Sequence, residues 1–153
     1  MKIGEMNEIK LPRDVQFLED VHLLIYRPRG LLNKPAIDEI IGVLEKLEFS
    51  LSEPFNRFTD TLEADPVELN AKHVIEFSLY RRFAYAGRPP VKSAILATDA
   101  TMIHYARIHA LLTQGSPLEV RVFQDRKEAA QWLAVPIELL VAETRDSGQS
   151  IKG

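Results

Sequence analysis

Hydrophobic positions along the chain alternate between short β-type runs and longer segments with helical spacing. The first two short runs, Val15–Leu18 and Val21–Tyr26, are separated by the acidic pair Glu19 and Asp20. Two β-prone runs joined by a two-residue polar link are typical of a hairpin. The pattern therefore predicts an antiparallel pair of strands near the start of the chain.

Three more strands are predicted further along. Phe55–Thr59 follows a proline, and Ala94–Ala97 is a continuous run of small apolar residues. Such a run is expected of a central strand that is covered on both sides or flanked by paired strands. Leu118–Phe123 alternates, with its valines on one side and Glu119 and Arg121 on the other. That period of two predicts a strand with one face partly in solvent.

Helical periodicity fills the segments between these strands. Asn33 or Lys34 is predicted to cap a first helix with Pro35 in its opening turn, where a missing N–H costs nothing. The run Asp65-Pro66-Val67-Glu68 combines an acidic N-cap, a proline at the first helical position and a glutamate at the third. It predicts the start of a second helix that reaches about Ala86.

Capping residues also mark the third and fourth helices. Thr98, Asp99 and Thr101 are each competent to cap a helix that follows the small apolar strand, and Asp125 is the predicted cap of the last helix. Gly42 lies inside the first helix and weakens it by about 1 kcal/mol relative to alanine. The capping residues and the helical spacing therefore predict four helices, three between strands and one after the last strand.

The predicted order of elements is ββαβαβαβα. Strands separated by helices imply right-handed parallel crossovers, with an antiparallel hairpin partner at the start. Because the last strand alternates, one face of the sheet is expected to be partly open, unlike that of a doubly wound sheet. We therefore expect an α/β fold with a mixed sheet of about five strands and helices mainly on one face.

One domain is predicted to span residues 14–135. Residues 1–13 are polar and expected to be loosely held, and residues 136–153 are expected to form a C-terminal extension. Its first part, VPIELLVA over residues 135–142, is more apolar than a free tail, whereas the composition turns polar from Thr144 onward and predicts a flexible end.

Composition narrows the possible functions. The 153 residues are 46% hydrophobic and 27% charged, values typical of a globular domain, and the net charge of −3 lacks the basic character that nucleic-acid binding requires. The chain has no cysteine. No apolar run approaches the ~20 residues of a membrane span, and no signal peptide is evident. A cytoplasmic location is the simplest expectation.

Common catalytic and cofactor motifs are also missing from the sequence. It has no glycine-rich nucleotide-binding loop and no serine nucleophile motif, so no cofactor and no catalytic residue is predicted. Its four histidines form no pair with metal-ligand spacing, so no metal site is predicted. Arg81 and Arg82, with Arg88 nearby, are interpreted as basic residues that stabilise a helix C-terminus.

The second half of the chain resembles the SpoIIAA-like family, whose members are STAS-fold domains. The resemblance lies in a strand of the form E-x-R-x-F, an acidic turn and a helix with A-x-x-W-L, and it extends in element order over roughly residues 14–135. It implies the STAS fold more strongly than a function, because the matching residues are core, turn and cap positions. Those residues are Glu119, Arg121, Phe123, Asp125, Ala129, Trp132 and Leu133.

The resemblance also implies a place to look for phosphorylation. In STAS regulators similar to SpoIIAA, a phosphorylated Ser or Thr follows the third strand at the start of the next helix. Thr61 is the matching candidate, although the predicted helix starts later, at Asp65, and Asp65 and Glu68 would repel a phosphate.

A small-molecule site is the second candidate. Parallel strands direct their C-terminal ends to one edge of a sheet, where α/β proteins usually bind ligands. Asp60, Thr98, Asp99, Thr101 and His104 are predicted to lie near that edge and are candidate ligand-binding residues. Their simpler interpretation is helix capping with exposure to solvent.

Three classes of function remain open on the sequence alone. A non-enzymatic regulatory or protein-interaction module of the STAS type leads, with a homodimer expected because the second helix is apolar over much of its circumference. The alternative is a carrier or sensor of a small or lipophilic ligand, similar to the CRAL-TRIO proteins. An enzyme that uses Asp60, Asp99 and His104 ranks last, because no nucleophile and base are paired.

Overall fold

Strands and helices alternate through residues 9–142, the part of the chain that the computed structural model describes. The four helices are α1 (Lys34–Ser50), α2 (Ala71–Ala84), α3 (Ala100–Leu112) and α4 (Arg126–Leu133). Single 3-10 turns occur at Glu19–Val21 and Ile137–Leu139. The strands are β1 (Val15–Leu18), β2 (Leu23–Tyr26), β3 (Gly30–Leu31), β4 (Asn56–Asp60), β5 (Ala64–Asp65), β6 (Val91–Leu96) and β7 (Leu118–Phe123).

Five of these strands form one mixed sheet in the order β1-β2-β4-β6-β7. Strands β1 and β2 are the antiparallel hairpin, and every other neighbouring pair is parallel. The predicted α/β class, mixed five-stranded sheet and four helices are therefore confirmed. The separate parallel pair of β3 and β5 was not predicted, because strands of two residues are too short to show a period.

Most helix starts occur where the capping residues predict them. Asn33 Oδ1 accepts a hydrogen bond from the Ala36 N–H at 3.1 Å, and Asp99 Oδ2 accepts one from the Met102 N–H at 3.0 Å. Asp125 Oδ1 accepts from the N–H of the second residue of α4 at 2.9 Å. These contacts satisfy backbone donors that a helix leaves unpaired at its first turn.

The predicted start of the second helix at Asp65 is wrong. Asp65 is the last residue of β5, and its carbonyl accepts the Leu32 N–H at 2.8 Å, so its backbone is held in an extended ladder. Its carboxylate accepts the Val67 N–H and supports a turn instead of a helix. The cap of α2 is Asn70, whose side chain accepts the His73 N–H at 3.0 Å. Tertiary pairing of β3 with β5 therefore overrides a local helix signal.

The two faces of the sheet are covered differently. On one face, Leu23, Ile25, Phe58 and Leu96 pack against α4 and the turn at Ile137–Leu139. The other face, called here the three-helix face, carries the intervening side chains and lies beneath α1, α2 and α3. Helices therefore lie mainly on one face, as the sequence predicts. In β7, Glu119 and Arg121 are exposed and the two valines are half-buried, which confirms the predicted alternation.

Packed structure continues beyond the predicted domain boundary at residue 135. Leu140 has no exposed surface and belongs to the core beneath α4. Its carbonyl accepts hydrogen bonds from Arg27 at 2.5 Å and from Arg126 at 3.1 Å. At the other end, Ile9 and Leu11 pack against the core beneath α1. The predicted flexible end from Thr144, and residues 1–8 of the predicted loose segment, lie outside the described residues.

A helix that crosses a membrane must be long and mainly apolar. Within residues 9–142, no helix is both long and apolar enough to cross a bilayer.

Replacement of Gly42 by alanine is expected to stabilise the protein. Gly42 lies inside α1, and a methyl group placed on it meets no atom within 4 Å, so Gly42→Ala should raise the free energy of unfolding by about 0.5–1 kcal/mol. Urea unfolding followed by circular dichroism measures the difference.

Gly87→Ala is the matched control. Gly87 also has open space around it, but its φ of +78° disfavours any other residue, so the same substitution should destabilise the protein. A destabilised Gly42→Ala variant would show that α1 needs glycine for a reason other than helix propensity.

Candidate functional site

The residues predicted near the carboxyl edge of β6 lie together but face solvent. Thr98, Asp99, Thr101 and His104 are all exposed. The Asp99 carboxylate caps α3. None of the four lines the cavity described below. Their role in ligand binding stays a prediction, and capping by Asp99 is what the geometry shows.

Asp60 is buried at the end of β4 and has several protein partners. Its carboxylate accepts a hydrogen bond from Arg126 Nη2 at 2.8 Å and from the Leu62 N–H at 3.0 Å, and Arg27 Nε lies 3.4 Å away. These contacts tie β4 to the start of α4 and to the segment before β3. Asp60 therefore neutralises two arginines, and its predicted part in binding a ligand would compete with them.

Thr61 lies just past β4 and is only 7% exposed. Its hydroxyl donates to the Leu96 carbonyl at 2.8 Å, and its N–H donates to the same oxygen at 3.0 Å. Helix α2 begins ten residues later, at Ala71, so Thr61 does not lie at a helix N-terminus. Phosphorylation of Thr61, which stays a prediction, would require this buried hydroxyl to leave its partner.

A cavity of about 130 Å³, partly open to solvent, lies between the three-helix face and helices α1, α2 and α3. The exposure of side chains on the two faces of the central strands shows on which face the cavity lies. Phe58 and Ala94 face α4 and have no exposed surface, whereas Thr59, Ser93 and Ile95 remain half-exposed beneath three helices. Because these three side chains line the cavity, their exposed surface faces it.

The cavity walls are mainly apolar. An apolar cavity of about 150 Å³ in another protein stays dry and binds benzene, so this space suits a ligand of similar size. At about 24 cal/mol per Å³, a closed empty cavity of this volume would cost about 3 kcal/mol of stability, and the open side of this cavity makes the cost smaller. The apolar lining includes Leu24, Ile37, Ile40, Ile41, Leu44, Phe77, Ile95, Met102, Ala106 and Leu118.

A groove between α1 and α2 adjoins the cavity. The groove has a volume of about 380 Å³ and shares Ile37, Ile41, Leu69 and Phe77 with the cavity. Gly42 also lines the groove. The empty space around Gly42 shows that α1 does not pack closely against a neighbour there.

Two buried arginines form the polar end of the cavity. Arg57 on β4 and Arg81 on α2 both line it, and each is 3% exposed. Both contact one oxygen of the Glu48 carboxylate on α1, Arg57 Nη2 at 2.9 Å and Arg81 Nη2 at 2.5 Å. The rings of Phe55 and Tyr85 flank the Arg57 guanidinium, at 4.4 and 5.3 Å from its central carbon. Strand β4 and two helices therefore meet at one buried charge cluster.

Hydrogen bonding within this cluster is incomplete. Arg57 donates through Nε to the Phe55 carbonyl at 3.0 Å, but its Nη2, although close to Glu48, is not aligned to donate to it. Arg81 Nη1 also lacks a hydrogen-bond acceptor among the described residues. Burial lowers the pKa of Arg57, while the nearby Glu48 opposes that effect. Unpaired buried donors are uncommon and call for an explanation.

His109 on α3 adds a neutral polar group to the wall. Its Nδ1 lies 2.8 Å from the Ser78 hydroxyl, and burial, together with the charge of Arg81, lowers the pKa of His109 to about 4. The ring keeps some exposed surface because it lines the cavity. Ser78 has no exposed surface and does not line the cavity, so the pair presents no hydroxyl to a bound molecule.

Sequence reasoning missed this site because four strands and three helices contribute to it. Arg81 was interpreted as a basic residue at a helix end, and Arg57 as part of a modest strand. One signal in the sequence could have indicated the site. Arg57 and Thr59 are two residues apart on a strand, so both polar side chains lie on the same face of the sheet. Polar side chains on a face covered by helices need polar partners, which indicates a polar site there.

Comparisons with known proteins do not identify the chain: no protein-family model, curated protein or solved structure matches it. Among the described residues, no group of three His, Asp or Glu side chains could hold a metal ion.

Stability is expected to fall with acid through His109. Its folded-state pKa of about 4 lies below the unfolded value of about 6.5, so the unfolded chain binds the extra proton between those pH values. The free energy of unfolding is therefore complete above pH 6.5 and is lost as pH falls to 4, by about 3 kcal/mol from this group.

His109→Asn is the matched variant, since it keeps a polar group near Ser78 but has no titrating ring. Chemical denaturation at pH 7, 5.5 and 4.5 should show a shallower loss of stability for the variant than for the parent. Parallel curves would mean that His109 titrates normally in the folded protein.

Proposed function

We propose that this chain is a non-enzymatic module that binds one small, largely apolar molecule between the sheet and helices α1–α3, as a sensor or carrier. One observation carries the proposal. Thr59, Ser93 and Ile95 lie on central strands beneath three helices and yet keep exposed surface, which faces an apolar cavity. Largely pre-formed apolar cavities with a few polar groups are typical small-molecule sites.

Binding fits the energetics and the access route. An unfilled apolar cavity lowers the stability of the fold, and an apolar ligand would recover part of that loss. A ligand at 100 times its dissociation constant would stabilise the fold by about 2.7 kcal/mol. A ligand would enter through the groove beside Gly42, which adjoins the cavity, without unfolding of the sheet.

Binding is preferred to catalysis because of how the polar groups are engaged. The histidine that lines the cavity has its Nδ1 occupied by Ser78, whose hydroxyl is closed off from the cavity. Glu48 is held by two arginines. No nucleophile among the described cavity residues is paired with a base, as general-base catalysis requires.

Toluene is a suitable first probe, because it is neutral, apolar and close to benzene in size. Titration of the ¹³C-methyl NMR spectrum should shift the signals of Ile41, Ile95 and Met102 in a saturable manner. The thermal midpoint should rise in parallel.

Two leucine substitutions on α3 make a matched pair for this test. Ala106 lines the cavity, so Ala106→Leu should fill part of it and abolish toluene binding. Ala100 is exposed at the start of the same helix, so Ala100→Leu should bind toluene like the parent. Equal binding by both variants, or no binding by the parent, would remove the proposal.

Self-association is a second proposal, and it would suit a STAS-like regulatory or interaction module. It is supported by an exposed apolar stripe on α2, formed by Ile75, Leu79 and Phe83 at spacings of four residues, with exposures of 42%, 38% and 73%. A contiguous apolar helix face is stabilised by burial against a second copy or a partner.

A homodimer through this stripe would have twice the 17.4 kDa mass of one chain. Light scattering after size exclusion should give that mass for the parent and the monomer mass for Phe83→Glu. Phe49→Glu is the control, because Phe49 on α1 is also exposed, at 86%, but lies off the stripe. A monomeric parent at high micromolar concentration would exclude the dimer.

A further inference from the structure

The arginine cluster points to the chemical class of the ligand. We infer that the ligand is a small monocarboxylate, whose apolar tail fills the cavity and whose carboxylate binds Arg57 and Arg81. The inference rests on the proposed function, because it assigns the head group of the molecule that the cavity would hold.

The buried charges of the arginine cluster do not balance. Two buried guanidinium groups share one buried carboxylate, that of Glu48. Glu45 is the other nearby anion, but its closest oxygen is 3.8 Å from Arg81, its side chain is 36% exposed, and it already accepts the Tyr80 hydroxyl. About one positive charge is therefore left without a buried partner, which is costly in a protein interior.

Two buried nitrogen donors of the cluster also have unmet hydrogen-bonding capacity. Arg57 Nη2 and Arg81 Nη1 are buried donors without an aligned acceptor among the described residues, and both side chains line the cavity. Neither nitrogen has accessible surface, so a small movement of the two guanidinium groups would bring them to a ligand in the cavity. A carboxylate has two oxygens that accept such donors, and charge-assisted bonds of this kind are among the strongest in proteins. One bound carboxylate would supply both the missing acceptors and the missing charge.

Both arginine side chains are held in place by neighbouring residues. The Arg57 guanidinium is flanked by the rings of Phe55 and Tyr85 and held through Nε by the Phe55 carbonyl. Arg81 is fixed on α2 by Glu48. Side chains held in place in this way lose little conformational entropy on binding, which favours recognition of an anion.

The cavity shape sets the direction of the ligand. Arg57 lies near the start of β4 and Thr61 just past its end, and both line the cavity. Four residues of strand span roughly 13 Å, so a tail can extend from the arginines toward Met102 and Thr61. A monoanion suits this site better than a phosphate dianion, because the unbalanced charge is about one and the other walls are mainly apolar.

Isothermal titration calorimetry at pH 7 with hexanoate, 1-hexanol and hexylamine tests the inference. The three probes share a tail and differ in head-group charge. Hexanoate should bind about tenfold more tightly than hexanol, because only its carboxylate forms charge-assisted hydrogen bonds with the arginines. Hexylamine should bind more weakly than hexanol. Equal affinity for hexanoate and hexanol would overturn the inference but keep an apolar site, whereas binding of neither would overturn the proposed function as well.

Arg81→Met is the informative variant. It leaves one arginine opposite Glu48, so the cluster is charge-balanced and the fold should be retained. The preference for hexanoate over hexanol should fall to about one. Arg107→Met removes the same charge from an exposed position of α3 that does not line the cavity, and it should keep the preference. A preserved preference in Arg81→Met would overturn the inference.

A measurement on the parent protein covers the case in which Arg81→Met does not fold. In isotope-filtered NMR of the hexanoate complex, the C2 protons of hexanoate should show nuclear Overhauser contacts to Arg57 and Arg81, and the terminal methyl group to Met102. The reverse orientation, with the methyl group at the arginines, would overturn the inference.

Discussion

The Glu48 carboxylate holds the three-helix face together. It lies on α1 and contacts Arg81 of α2 and Arg57 of β4, so one side chain joins two helices to the sheet. Close by, Tyr80 of α2 donates to Glu45 of α1. The two helices are thus bridged near their C-terminal ends, while a groove lies between them over Ile37, Ile41 and Phe77. The cavity lies between these bridged helices and the sheet.

The opposite face shows what a closed core looks like in the same sheet. There Phe58, Ala94 and Leu96 are fully covered by α4 and the segment around Leu140. Asp60, paired with Arg126 and near Arg27, fixes that segment in place. Stability can therefore come mainly from the α4 face and leave the three-helix face incompletely filled. An unfilled apolar cavity lowers stability, and the closed α4 face compensates for it.

Local sequence signals predicted most of the fold. Asn33, Asp99 and Asp125 cap helices because a short polar side chain just before a helix can accept a hydrogen bond from an unpaired backbone N–H of the first turn. The same logic failed at Asp65, where pairing of β3 with β5 holds the backbone extended. Single-residue chemistry predicts an element well until a contact distant in sequence competes with it.

The candidate site was much less predictable. Strand-end logic directs attention to the carboxyl edge of the sheet, where Thr98, Asp99 and His104 are exposed. The unfilled space lies inside, and Arg57 and Arg81 are brought together from β4 and α2 only by the tertiary fold. No spacing rule relates them, because their proximity depends on how α2 crosses the sheet.

Xenon binding tests the central claim most directly, because xenon enters apolar cavities without needing a head group or a particular shape. A crystal of the parent protein under xenon pressure should show one ordered xenon atom between α1, β6 and α3, in contact with Ile41, Ile95 and Met102. Ala106→Leu should lose that atom. A crystal in which α1 and α2 close onto the sheet and no xenon binds there would contradict the account.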